Sequence, residues 1–210
     1  GKAGPETITV DETNGYNLAP LHMVYPHTKW LGEEEVRRGL AAGLDAVITH
    51  PTAVFGPRDW KHNVLPLFKA TRSLLGLAVP DGRRTVCDVR DVARGHLLAA
   101  EKGRRGEHYI LGGESISVRD LFDQMASEVG GRRPRFTLPD GAIRTAGRLL
   151  EAVSILTDKP PVLSAEMAFQ STLKVAVSSE KAERELGYRC RPARESIRDA
   201  AAWYIAQGLL

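Results

Sequence analysis

Two cysteines in 210 residues, Cys87 and Cys190, are too few and too far apart to suggest a disulfide framework. With no Cys-x-x-Cys pair and no histidines at zinc-ligand spacing, they suggest no metal site either, and they fit a reducing, cytoplasmic setting. No apolar run reaches the roughly 20 residues of a membrane helix. The polar start, Gly1 to Glu12, lacks the basic-then-apolar order of a secretion signal, so no membrane partner is expected. Charge is nearly balanced, 29 Lys and Arg against 26 Asp and Glu, for a formal net of +3. Arginine pairs occur at Arg37-Arg38, Arg83-Arg84, Arg104-Arg105 and Arg132-Arg133, but they are scattered and lack interleaved aromatics, so no nucleic-acid partner is expected. Also missing is a Gly-x-x-Gly-x-x-Gly or Gly-x-Gly-x-x-Gly turn between a strand and a helix, the feature that brings backbone amides up to a pyrophosphate.

What is present begins with Tyr25-Pro26-His27-Thr28-Lys29. A Tyr and a Lys four residues apart on a helix project from nearly the same side, roughly 6 Å apart along the axis. The ammonium favours the phenolate over the phenol, which makes Tyr25 a candidate proton shuttle. An ordinary helix start with a solvated lysine is the other reading of the pair taken alone. Gly32, Val36 and Leu40 continue its stripe and predict a buried face, while Glu33 with Arg37 and Glu34 with Arg38 predict the solvated one. Trp30 and Leu31 lie off that stripe, which suggests a second covered side and allows a homodimer through this helix.

The remaining pattern alternates strands and helices, as an α/β fold requires. The sequence predicts a helix from Tyr25 to about Leu40 ended by Gly43, a strand over 45–49, and a loop punctuated by Pro51, Gly56 and Pro57. A helix near 63–75, a strand over 84–89 and a helix capped by Asp91 follow. After a strand at 107–111, Ser117 and Asp120 form a capping-box variant ahead of Val118, Leu121, Phe122, Met125 and Val129, a stripe that reads as core. A strand over 133–138, a helix over 140–156, a break at Pro160-Pro161 and a last helix over 193–207 burying Ile197, Ala201 and Tyr204 complete the reading.

Four ordered stretches carry a resemblance: Tyr25 to Lys29; Pro51 to Asp59; Val86-Cys87-Asp88-Val89-Arg90-Asp91-Val92-Ala93; and Ser179 to Tyr188 with Trp203-Tyr204. Tyr109-Ile110-Leu111-Gly112-Gly113 adds to it. The sequence resembles the extended short-chain dehydrogenase/reductases, the NAD-dependent epimerase/dehydratase group, and within it the dihydroflavonol-reductase-like proteins and bacterial sugar epimerases. The resemblance implies the C-terminal portion of such a protein, an incomplete Rossmann-type parallel sheet with a smaller, mostly helical substrate domain. Residues 1–59 and 84–103 would belong to the cofactor domain, and 60–83 and 104–210 to the substrate domain. The strand near residue 46 would then pair with strands upstream, since a lone parallel strand cannot cover both its faces.

The resemblance also implies roles. Tyr25 would be the acid/base and Lys29 would hold the nicotinamide ribose of NAD or NADP. Pro51, Thr52 and Val54 would meet the nicotinamide amide. Arg84 matches a position that contacts a substrate diphosphate, with Arg58 a weaker match, although a strand-edge arginine explains Arg84 equally well. The substrate would be a small molecule with a hydroxyl or carbonyl, such as a nucleotide sugar. A relative that senses a dinucleotide or docks a partner without catalysis is the alternative that the missing glycine turn favours. His22, His27, His50, His62, His96 and His108 read as structural or solvated, and Asp88 stands where most of this branch has His.

Overall fold

A computed structural model describes residues 7–15, 23–157, 161 and 163–210. Residues 1–6 of the polar start, together with Tyr16, His22 and Pro160, lie outside the described residues. Strand β5 (Arg83–Asp88) is the axis of the fold. Successive strand residues point to opposite faces, so Val86 enters one core cluster and Cys87 the other. On the first face Phe55, Phe68, Leu121, Met125, Ile197 and Tyr204 pack together. On the second, Val92, Tyr109, Leu111, Leu186 and Tyr188 surround Cys87, whose thiol burial pushes up to about 11. A strand covered on both faces is what a parallel α/β layer demands.

The strands pair in short sheets. β5 sits between β3 (Ala53–Phe55), parallel to it, and β7 (Glu114–Ser117), antiparallel to it. β2 (Ile48–Pro51) pairs in parallel with β6 (His108–Leu111), placing His50 opposite Ile110 and Ile48 opposite His108. β1 (Ile8–Val10) pairs in parallel with β9 (Val175–Val177), and β4 (Ala78–Pro80) with β8 (Phe136–Leu138). The strand expected at 45–49 therefore forms three residues later, and part of the loop expected after it is β3. Pro51 fits as the last residue of β2, where the ladder does not require its missing N–H.

Eight helices join these strands among the described residues: α1 (Val24–Ala41), α2 (Leu65–Thr71), α3 (Val89–Lys102), α4 (Val118–Val129), α5 (Asp140–Thr157), α6 (Ala165–Ser171), α7 (Glu180–Leu186) and α8 (Ala193–Ala206). α2 stops short of its expected end because the Ser73 hydroxyl accepts from Leu75 N–H and starts a 3-10 turn over Leu74–Leu77 instead. The α4 cap forms as the spacing predicts. Ser117 Oγ accepts from Asp120 N–H at 2.9 Å, and Gly130, at φ +63°, closes the helix in a left-handed conformation that suits glycine.

The cap of α3 is a correction: it is Asp88, not Asp91. β5 runs into α3 without a loop, so its last residue accepts from Arg90 N–H at 2.9 Å. Asp88 is fully buried and its two oxygens also accept from Arg90 Nε at 2.8 Å and Nη2 at 2.7 Å. Burial alone pushes this carboxyl up, but the Arg90 side-chain and backbone hydrogen bonds outweigh it and the net shift is downward. Arg90 reaches on to Asp199 of α8, while Arg191 forks onto Asp91, so strand end, α3 and α8 share one ion-pair network.

Candidate active site

Helix α1 carries the Tyr/Lys pair. Lys29 Nζ lies 5.7 Å from the centroid of the Tyr25 ring, a cation–π approach that keeps phenol and ammonium together. The expected buried stripe is not buried: Tyr25 is 62% exposed, Lys29 and Gly32 are exposed, and no residue of α1 is fully covered. The side that meets the strands is instead Pro26, Trp30 and Glu33, about a quarter-turn away. Glu33 therefore leaves the solvated face assigned to it. Arg37 pairs with both Glu33 and Glu34, and Arg38 pairs with Glu35 rather than Glu34.

Two cavities flank the start of α1. The first, 470 Å³, lies between α1, the C-terminal end of β2 and the side of β6 that carries His108 and Ile110; Pro26, Lys29, Trp30, Glu33, Pro51 and Thr52 are among its walls. The second, 360 Å³, is walled by Met23 and Val24 with Arg144, Arg148, Glu166 and Phe169. Tyr25 thus stands between Val24, which faces one cavity, and Pro26, which faces the other. Carboxyl ends of parallel strands are where open α/β folds collect ligands.

The structure brings Lys29, Pro51 and Thr52 onto one cavity, beside Tyr25. Thr52 Oγ1 is enclosed without an oxygen or nitrogen partner, its polar neighbour being the Cys87 thiol. Val54 packs against the second core cluster. Arg84 is engaged elsewhere: its Nη1 donates to the carbonyls of Gln170 at 2.7 Å and Arg83 at 3.1 Å, and burial lowers its pKa. It braces the back of α6, the helix whose Glu166 and Phe169 face the second cavity. Arg58 sits exposed in the loop after β3 at φ +68°.

Sequence reasoning missed two features. Arg144 stacks on Phe169 with its guanidinium carbon 4.9 Å from the ring centroid and donates to Thr172 Oγ1. His50 and His108, 58 residues apart, meet with Nε2 and Nδ1 2.9 Å apart and their rings stacked at 5°. Glu33 Oε1 is 3.9 Å from the same His108 nitrogen. Burial, then the neighbouring His108, lowers the pKa of His50. Only the parallel pairing of β2 with β6 unites the two imidazoles.

Residues 1–112 match the model of the NAD dependent epimerase/dehydratase family. The chain belongs to that family. This family member is 28% identical over 94% of its length to a Synechocystis sp. protein provisionally named as a dihydroflavonol 4-reductase, covering 59% of that protein. It is similar to the crystal structure of gox2253, with TM-score 0.79 and 32% identity over 97% of this chain and 62% of that one. A nucleoside-diphosphate-sugar epimerase from Pseudomonas aeruginosa gives TM-score 0.76 and 25% identity, over 100% and 64% of the two chains. The family member thus spans about three fifths of the length of such relatives. Among its described residues no helix is long and apolar enough to cross a membrane.

Proposed function

We propose that this chain supplies the acid/base side of an NAD(P)-dependent oxidoreductase or epimerase acting on a hydroxyl or carbonyl group of a small molecule. The observation that carries this reading is the Tyr25–Lys29 contact at 5.7 Å, set between two cavities. Tyr25 gives or takes the substrate hydroxyl proton, with the Lys29 ammonium held beside its ring. Lys29, Pro51 and Thr52 would hold the nicotinamide end of the cofactor, since all three line the same cavity. When bound, the dinucleotide supplies or accepts a hydride. The second cavity then takes the substrate, a nucleotide sugar or a dihydroflavonol-like compound by analogy with the relatives' names. Leu31, exposed on α1, suits a homodimer contact.

Titrating the full-length protein against NADH and NADPH fluorescence tests the cofactor assignment. Lys29→Met should weaken binding about tenfold, or ~1.4 kcal/mol. Unchanged affinity in that variant contradicts the role of Lys29. Binding of either dinucleotide with no turnover of any carbonyl or nucleotide-sugar substrate would point instead to a non-enzymatic sensor.

A further inference from the structure

We infer that Glu33, His50 and His108 form a binding site for a zinc-class divalent cation, which ties helix α1 to strands β2 and β6. One ligand atom from each residue lies within 4.8 Å of the others. His50 Nε2 and His108 Nδ1 are 2.9 Å apart, and Glu33 Oε1 is 3.9 Å from the latter. Zinc bonds of about 2.0–2.1 Å set tetrahedral ligand separations of about 3.3 Å, so the two distances straddle what the ion needs. Two imidazoles and a carboxylate suit a borderline cation and leave a fourth position for water. All three side chains are half-buried and border the 470 Å³ cavity, which provides both the access route and room for that water.

Two neighbours set the strength of the site. Arg37 donates to Glu33 Oε1 and opposes the cation, whereas Glu12, held at the strand edge by Ile110 N–H, adds negative potential near His50. Without metal the imidazoles share a hydrogen bond in which one ring must supply the proton. The cation takes the place of that proton, so binding competes with protonation and strengthens as pH rises. Glu33 lies one turn beyond Lys29, so the ion would fix a helix that has no fully buried residue. The site uses neither Tyr25 nor Lys29, but it shares the 470 Å³ cavity with the proposed cofactor wall of Lys29, Pro51 and Thr52, so zinc binding is read in the absence of dinucleotide.

The test titrates zinc chloride into untagged, EDTA-treated full-length protein near neutral pH, by calorimetry. One ion per chain and a rise in melting temperature are expected, with His108→Gln and Glu33→Gln each weakening binding about tenfold or more. X-ray absorption of the zinc-loaded wild type provides a second readout that needs no variant, and should show two imidazole nitrogens and a carboxylate oxygen. No binding, binding that both variants retain, or a spectrum without paired imidazoles overturns the proposal.

Discussion

Helices α1 and α8 are both long and both mix apolar with charged residues, yet they do opposite work. α8 buries Ala193, Ser196, Ile197, Ala200, Ala201 and Tyr204, and its small residues let it lie close against α4 and β5. α1, four residues longer at 18 against 14, has no fully buried residue. It presents Trp30, Glu33 and Lys29 to a cavity and Tyr25 to solvent. Stability is therefore concentrated around β5, and the proposed chemistry sits on an element that contributes little to it. Substitutions in the two helices should separate cleanly into those that unfold and those that inactivate.

The sharpest break in that comparison is Ile197→Ala in α8. Ile197 is fully buried in the first core cluster, so the truncation should cost ~2–5 kcal/mol in denaturant unfolding. A loss below about 1 kcal/mol would mean that α8 is not the anchor its burial implies.

Acid should act next, again through the β5 and α8 side. Asp88, Asp91 and Asp199 all have pKa values held below the ordinary carboxylate range. Arg191 is the chief cause at Asp91; at Asp199, as at Asp88, arginine contacts outweigh the upward push of burial. Each group binds a proton more readily unfolded than folded, so its contribution is present above the unfolded pKa of about 4 and disappears as pH falls through the lower folded value. Urea midpoints should drop over that acid range, and Asp88→Asn should flatten the slope. An unchanged slope would show that the network is only decorative.

The smallest effect belongs to α1. Arg38, 75% exposed and paired with the similarly solvated Glu35, can go to Ala with a change within about 0.5 kcal/mol in the same unfolding assay. A larger loss would indicate that α1 is tied into the core after all.

How much of this could be read from the sequence follows the same division. The Ser117–Asp120 cap, the Leu121–Met125 stripe and the inward Ile197, Ala201 and Tyr204 were legible, because local spacing and hydrophobic burial agree there. The extent of α1 was legible too, but its orientation was not. Periodicity favoured Tyr25, Val36 and Leu40, whereas the helix turns toward the strands a face of Pro26, Trp30 and Glu33, which mixes apolar and charged side chains and so carries no hydrophobic signature. Local spacing points to Asp91 as the cap of α3, whereas the strand runs straight into the helix and makes its last residue, Asp88, the cap. For Arg84 the sequence left a diphosphate contact and a strand-edge role equally open, and its hydrogen bonds to the Arg83 and Gln170 carbonyls depend on how α6 packs against β5. The His50–His108 contact depends on strand register, which no local pattern encodes.

The most direct measurement of the central claim is turnover of the full-length Tyr25→Phe variant alongside its melting curve and its affinity for reduced dinucleotide. Loss of one general acid/base should lower turnover by about 10²–10⁴-fold. The exposed side chain predicts little change in melting temperature or cofactor binding. Turnover within a few-fold of wild type, with the protein folded and the cofactor bound, would contradict the assignment of Tyr25 as the proton shuttle.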